Sequence, residues 1–126
     1  MVLIYLDTHV VVWLYAGLTN KLSELAKGLI NNNEVGISSI VRLELQYLYE
    51  IKRITHQPDT IIAELSEQID LQICNRSFNQ IISTSLTINW TRDPFDRIIT
   101  ANSQMGNNIL LSKDENILNN YTHAKW

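Results

Sequence analysis

The sequence has few of the residues that crosslink a chain or interrupt its regular structure. Its single cysteine, Cys74, excludes an internal disulfide and favours a reducing compartment. Only four glycines and two prolines occur among 126 residues, and we find no repeat, low-complexity tract or flexible linker. We therefore expect one domain covering residues 1–126.

Long apolar runs and an excess of positive charge are also absent. No segment is apolar over the length needed to cross a bilayer, and no cationic leader follows Met1, so we expect a cytoplasmic protein without membrane contact. Thirteen acidic and ten basic residues give a net charge of −3, which argues against a protein that coats nucleic acid with a broad basic face. A nuclease is not excluded, because cations bound at an acidic site supply local positive charge.

Apolar segments alternate along the chain with segments of helical periodicity. Unbroken apolar runs predict strands at residues 2–6, 34–38, 71–74 and 108–112, with a fifth near 123–126. Helical patterns cover residues 8–17, 21–32, 38–54, 58–68, 77–88 and 94–106, the first closing on Gly17 and the last on Gly106. This alternation predicts an α/β fold with a mainly parallel sheet of four to five strands.

Two aspartates follow predicted strands. Asp7 comes directly after the first strand, and Asp114 follows the "NILLS" strand after Ser112 and Lys113. In parallel sheets ligands bind outside the carboxyl ends of the strands, so both side chains should lie at one edge. Each aspartate alone could equally be a turn residue or a helix N-cap.

Glu44 lies on what reads as the apolar face of its helix. An unpaired buried carboxylate is strongly unfavourable, so it must become neutral, be paired or bind a metal ion. Pairing with Arg42 or Arg53, or a position at the boundary of the face, remains the alternative. The residues three, four and seven positions from Glu44 are Ile40, Val41, Tyr47, Leu48 and Ile51.

The stretch "WTRDPFDRIITANS" carries two further acids at a predicted helix start. Pro94 suits the first helical position, which makes Asp93 the N-cap and places Asp96 where an acid can bond back to the capping amides. Capping alone explains both residues. It does not explain why acids from four separate segments, Asp7, Glu44, Asp96 and Asp114, should meet at one edge of the sheet.

An all-carboxylate set of this kind suits magnesium or manganese. Gathered carboxylates repel one another unless cations neutralise them. Oxygen ligands without histidine or cysteine favour Mg²⁺ or Mn²⁺, which use one or two carboxylates each and complete their shells with water and substrate phosphate. Two such ions can activate water for hydrolysis of a phosphodiester. The acids therefore predict a divalent-cation site of a kind that suits phosphodiester hydrolysis.

Four segments, in their order and spacing, resemble a PIN domain of the VapC type, the toxin of type II toxin–antitoxin pairs. They are "LIYLDTHVVVWL", "SSIVRLEL", "RDPFDRIITANS" and "LLSKD". The resemblance implies a three-layer α/β/α fold. It assigns the catalytic metal ligands to Asp7, Glu44, Asp96 and Asp114, with supporting or outer-shell roles for Asp93 (the extra acid of the DPFDR subgroup), Ser112 and Thr8.

The resemblance also implies an activity and partners. Similar proteins are Mg²⁺- or Mn²⁺-dependent endoribonucleases, usually homodimers, held inactive by an antitoxin whose C-terminal segment covers the acidic edge. DNA would be met only through the antitoxin. One departure is "WTR" where many relatives have His and Arg before "DPFDR", which affects substrate contacts and not the four acids. Arg92, Arg97 and Lys113 adjoin the acids and are candidate contacts to RNA phosphate.

Rival classes make different demands on the sequence. A receiver-type signalling domain needs an acid pair after its first strand, where this chain has Asp7, Thr8 and His9. A haloacid-dehalogenase phosphatase needs a second aspartate at position 9. A catalytically silent PIN scaffold that only binds partners is compatible with the sequence. For Trp13, Tyr15 and Cys74, core packing is the preferred interpretation over a functional one.

Overall fold

The computed structural model describes residues 2–126. Five strands and seven helices alternate along it, together with a short 3₁₀ helix at Thr19–Lys21. The strands are β1 Leu3–Leu6, β2 Glu34–Ile37, β3 Gln72–Ile73, β4 Leu110–Leu111 and β5 Ala124–Lys125. The helices are α1 Thr8–Tyr15, α2 Glu24–Asn32, α3 Ser39–Glu50, α4 Pro58–Ile69, α5 Phe78–Ser85, α6 Pro94–Gln104 and α7 Glu115–Asn120.

All five strands are parallel and form one sheet in the order β3-β2-β1-β4-β5. The central strand β1 pairs Ile4 with Val35 of β2 and Leu6 with Leu111 of β4. Consecutive residues of a strand point to opposite faces, and Ile4, Tyr5 and Leu6 are all buried. Helices therefore cover both faces of the sheet, which confirms the predicted three-layer α/β/α fold.

The strand order also locates the edge at which a ligand can bind. From β1 the chain moves outward to β2 and β3, and then crosses to β4 on the other side of β1 and on to β5. The connections to the two neighbours of β1, strands β2 and β4, therefore lie on opposite sides of its carboxyl end. In parallel sheets a crevice opens where the strand order reverses in this way. Asp7, the residue after β1, lies at this crevice.

The predicted strands, including the fifth, are confirmed, whereas α7 was not predicted. Its sequence "ENILNN" is rich in asparagine, which has a low helix propensity, and six residues are too few for a periodic pattern. Tertiary contacts supply what the propensity lacks. Asp114 caps the helix by accepting a hydrogen bond from the Ile117 amide, and the Ile117 side chain is fully buried.

The two helix ends predicted at glycines differ. Gly17 follows α1 with φ of +71°, the left-handed conformation that glycine adopts without steric cost. After α6 the left-handed residue is Asn107, with φ of 51°, and not Gly106. At Gly106 a Cβ atom would displace the Arg76 guanidinium and the Asn108 side chain.

Helices α1, α3, α4 and α6 share one core with the sheet. Their fully buried side chains include Val10, Val11, Leu45, Leu65 and Ile99. A second small cluster joins α5 to α6. Within residues 2–126 no helix combines the length and the apolar character that a membrane span needs.

Candidate metal and active site

A cavity of about 640 Å³ opens at the carboxyl edge of the sheet. Acidic side chains reach it from β1, α3, α6 and the turn after β4, as the sequence predicts. All five acids discussed above line it: Asp7, Glu44, Asp93, Asp96 and Asp114. Within the part of the chain that the structure describes, none of these carboxylates forms an ion pair with a lysine or arginine.

Asp7 is held rigidly at the end of β1. Only 4% of the residue is exposed, and its Oδ1 accepts a hydrogen bond of 2.8 Å from the Thr8 amide, which caps α1. The Ser112 hydroxyl donates to Asp7 Oδ2 at 2.7 Å and accepts from the Asp114 amide at 3.0 Å. The fully buried Ser112 therefore links the acids that follow β1 and β4, and fixes their separation.

Asp114 has two roles. It is the N-cap of α7, as its alternative interpretation predicts, and it also lines the cavity. The Ile117 amide bonds to Oδ1, at 3.0 Å. Capping uses one acceptor site of a group that has about four, so a capping aspartate keeps capacity for a second ligand.

Glu44 lies at the boundary of its helix face and not within the core. Helix α3 buries Val41 and Leu45, whereas Tyr47 is 50% and Ile51 is 45% exposed, so the apolar face read from the sequence was set too wide. The Thr8 hydroxyl donates to Glu44 Oε1 and joins α3 to α1. Pairing with Arg42 is wrong, because that guanidinium forms a two-oxygen ion pair with Asp59.

The acids of "DPFD" divide their tasks. Asp93 is the N-cap of α6, with Oδ1 accepting from the Phe95 amide at 2.8 Å and the Asp96 amide at 3.2 Å. The reciprocal bond predicted for Asp96 does not form, because the Asp93 amide donates to Thr91 Oγ1 instead. The hydrogen bonds of residues 2–126 leave the Asp96 carboxylate out, so capping explains Asp93 but not Asp96.

The capping contacts predict the stability of variants at Asp93. Asp93→Ala removes the acceptor of two helix amides and should lower the free energy of unfolding by about 1 kcal/mol, whereas asparagine caps about as well as aspartate. Chemical denaturation of both variants in metal-free buffer measures the difference. Equal stability of Asp93→Ala and the native chain would contradict the capping role.

Burial and mutual repulsion raise the pKa values of two acids. Desolvation is the largest cause at Asp96, and the charges of Asp7, Asp93, Asp114 and Glu44 add to it, which raises the pKa of Asp96 to about 7. Desolvation likewise raises the pKa of Glu44, although the hydrogen bond from Thr8 acts in the opposite direction. An empty acidic cavity is thus unfavourable at neutral pH, as expected of a site that functions with cations.

The chemistry of the donor set fits hard divalent cations. Every acid offers only oxygen, the ligand atom that Mg²⁺ and Mn²⁺ prefer. Within residues 2–126 no three or more acid, histidine or cysteine side chains form a group that could hold a metal ion by themselves. Mg²⁺ binds through one or two carboxylates and retains several waters, so it does not require three protein ligands.

The tertiary structure places at the site cationic and aromatic side chains to which the sequence assigned no part in it. Lys21, Arg53 and Trp13 line the same cavity as the acids. Lys21 comes from the 3₁₀ helix after α1, and Arg53 from the turn after α3. No local pattern marks either residue as part of a site, since both lie outside the strands and α-helices.

The three predicted phosphate contacts occupy different environments. Arg97 donates a hydrogen bond to the Ser85 carbonyl at 3.3 Å, so it joins α6 to α5, and it is not among the residues that line the acidic cavity. Arg92 is exposed beside Asp93. Lys113 is exposed, and its Nζ lies 5.9 Å from the centre of the Trp13 ring.

His9 lines the cavity and contacts the segments after β1 and β4. Its Nε2 accepts the Lys113 amide at 2.9 Å, so the ring proton belongs on Nδ1, which faces Asp7 Oδ2 at 3.6 Å. Desolvation lowers the pKa of His9, against the attraction of Asp7 and Asp114. A neutral His9 thus bridges the segments after β1 and β4.

Solved structures with the same arrangement of strands and helices are toxin–antitoxin proteins. VapBC2 from Rickettsia felis, bound to a DNA fragment from its promoter, aligns with a TM-score of 0.68 and 15% identity over 99% of both chains. A toxin–antitoxin complex from Klebsiella pneumoniae aligns with a TM-score of 0.68 and 18% identity over 98% of this chain and 96% of the other. VapBC-1 from nontypeable Haemophilus influenzae aligns with a TM-score of 0.64 and 18% identity over 99% of this chain and 96% of the other.

Comparison at the level of sequence identifies the family. No curated protein matches the chain significantly. The family model described as the PIN domain matches residues 4–122, from the middle of β1 to just before β5. That range contains all five acids of the cavity, and the three-layer architecture agrees with it. The chain therefore belongs to the PIN domain family.

Proposed function

We propose that the protein is a Mg²⁺- or Mn²⁺-dependent endoribonuclease and the toxin of a type II toxin–antitoxin pair. The observation that carries the proposal is the meeting of carboxylates from four chain segments around one cavity without a compensating lysine or arginine ion pair. Membership of the PIN family and the fold shared with VapBC proteins support it. Those structures also favour a cognate antitoxin as partner.

In this proposal each acid has a stated task. Asp7, Glu44, Asp96 and Asp114 hold the cations. Bound divalent ions would supply an activated water and charge stabilisation for the leaving oxygen of the phosphodiester. Ser112 and Thr8 position the carboxylates to which they donate, because a hydrogen bond from a buried hydroxyl fixes the rotamer of an acid. Asp93 sets the start of α6, and thereby the position of Asp96.

The cations of the cavity wall would bring RNA to this site. A net charge of −3 repels RNA at long range, so binding depends on local positive charge. Lys21 and Arg53 line the acidic cavity, and Lys113 lies close by. We assign phosphate contacts to these three residues and to Arg92. Arg97 is left out because it is bonded to Ser85. The setting would be the cytoplasm, with a homodimer as the assembled form.

The receiver-type alternative loses support from the contacts at β1. Such a domain would place a second acid beside Asp7, where this chain has Thr8, whose hydroxyl is already bonded to Glu44. A catalytically silent scaffold remains as the second candidate, and only an activity measurement separates it from a nuclease.

Induced expression in a bacterium, with profiling of RNA ends, tests the proposed function. The native chain should arrest growth and create new RNA ends. Asp7→Asn should abolish both effects, because it removes the negative charge of a residue that is only 4% exposed and lines the cavity. Asp70→Asn is the matched control. Asp70 is exposed and left-handed, with φ of 56°, a conformation that asparagine also adopts.

The outcomes separate the candidates. A toxic native chain and a toxic Asp70→Asn chain beside a harmless Asp7→Asn chain support the nuclease. Equal growth of all three strains at equal protein levels would contradict a toxin and favour the silent scaffold.

A further inference from the structure

Three aromatic rings meet beside the acidic cavity. Trp13 of α1 lies with its ring centre 4.9 Å from that of His9 and 5.8 Å from that of Trp126, and His9 is 6.2 Å from Trp126. Trp13 and His9 line the cavity that holds the acids. We call Trp13, His9 and Trp126 the aromatic wall. It brings together residues from the start and the end of the described chain.

Two lysines lie over Trp13. The Nζ atoms of Lys21 and Lys113 are 5.4 and 5.9 Å from the centre of its ring. Both lysines are exposed and come from different segments, one after α1 and one after β4. Neither forms an ion pair with an acid within residues 2–126. Two cations are therefore held by an aromatic ring at the margin of an acidic site.

Core packing explains only part of this arrangement. Trp13 packs against the main core, but it also borders the open cavity. Its aromatic neighbours are inclined at 55° and 60°, so neither ring stacks in parallel on the indole. The groups over the ring are the ends of two exposed lysines. A contact between an exposed ammonium group and an aromatic ring is weaker than the stacking of a base on that ring, so a base can displace it.

We propose that Trp13 is a stacking platform for an unpaired base of single-stranded RNA, with Lys21 and Lys113 on the adjoining phosphates. The inference rests on the proposed ribonuclease function for its ligand and adds the substrate form, an unstacked nucleotide beside the cleaved bond. Aromatic side chains bind bases of single strands because such bases are free to leave their own stack. A base-paired RNA would present no free face.

Binding and cleavage must be measured separately to test this. The full-length protein is loaded with Ca²⁺, whose looser coordination shell should support cleavage poorly, and intact RNA is verified on a gel. Fluorescence anisotropy then compares two probes of equal length, a short uridine oligonucleotide and its abasic analogue, which has the same phosphates but no bases. The native chain is compared with Trp13→Leu, Trp13→Phe and Lys21→Ala.

Stacking predicts a loss that depends on the bases. Trp13→Leu should weaken binding of the uridine probe by about tenfold to a hundredfold and leave the abasic probe unchanged. Trp13→Phe retains an aromatic face and should recover most of that loss, which also controls for folding. Lys21→Ala should weaken both probes to a similar degree, because phosphate contacts do not depend on the base.

Three results would overturn the proposal. If Trp13→Leu lost equal affinity for both probes, the ring would have a structural role only. If it lost affinity for neither probe, the aromatic wall would not bind RNA and would be a surface for a protein partner. Native binding that does not distinguish the two probes would remove the base from the interaction. The nuclease is judged independently: cleavage that survives Trp13→Leu unchanged contradicts stacking alone, and base-dependent binding without cleavage contradicts the nuclease alone.

Discussion

Asp96→Asn is expected to reduce RNA cleavage by about 100- to 1,000-fold, because it removes a negative charge that the cations need. The same change should leave the metal-free protein at least as stable as the native chain. Four neighbouring acids oppose ionisation of Asp96, and its amide replacement carries no charge. A loss of favourable charge at the start of α6, about 0.3–1 kcal/mol, offsets part of this gain. Cleavage rate and metal-free melting temperature are measured together.

Asp93→Asn is the matched comparison, since it makes the same chemical change three residues earlier in the same helix start. Asparagine keeps the cap, so stability should hold and cleavage should fall much less than in Asp96→Asn. If Asp93→Asn were inactive and Asp96→Asn active, the two roles would be exchanged.

Divalent metal should stabilise the protein, and more strongly at alkaline than at acidic pH. Mg²⁺ or Mn²⁺ at a hundredfold excess over its dissociation constant adds about 2.7 kcal/mol to the free energy of unfolding. For a chain of this size that corresponds to roughly 10 °C in melting temperature. Thermal denaturation with and without metal, at several pH values, measures the effect.

The sign of the pH dependence follows from Asp96. Its pKa is about 7 in the folded protein against 3.8 as the ordinary value. Ionisation of Asp96 is therefore less favourable in the folded state than in the unfolded state. The resulting loss in the free energy of unfolding is absent below pH 4, grows between pH 4 and about 7, and is complete above pH 7. The raised pKa of Glu44 acts in the same direction. The metal-free protein should thus lose stability as pH rises from about 4 to about 7.

Metal should counter this loss, because cations bind the deprotonated carboxylates. Asp96→Asn, which carries no titrating group at that position, should show a flatter pH profile without metal. Melting that is insensitive to Mn²⁺ at every pH, combined with cleavage that survives EDTA, would contradict the metal site.

The sequence predicted most of the elements because their signals are local. The unbroken apolar run of β1 required cover on both faces, and the parallel sheet followed from its alternation with helices. Asp93 was identified as an N-cap from the proline that follows it, and the structure agrees. Helix α7 was missed, because a capping aspartate and one buried isoleucine stabilise it against a poor helical sequence.

The sequence predicted which acids line the candidate cavity, but it predicted the other lining residues only in part. Asp7 and Asp114 end or follow strands, so the direction of a parallel sheet brings them to one edge before any side chain is placed. Glu44 was selected because its helix face was expected to be buried, whereas Tyr47 and Ile51 on that face are about half exposed. Three further residues lie at the site or its margin: Lys21, Arg53 and Trp126. They come from outside the segments that carry the acids, so no sequence spacing relates them to the site.

Periodicity and residues adjacent in the chain specify the alternation of strands and helices, the parallel sheet and the segments that carry the acids. Three features follow from the folded chain alone: Asp96 takes no part in capping, Ser112 and His9 join the segments after β1 and β4, and two lysines lie over Trp13. Each of these depends on side-chain direction and on contacts between residues far apart in sequence. Such contacts are selected by the packing of the whole chain and leave no local pattern.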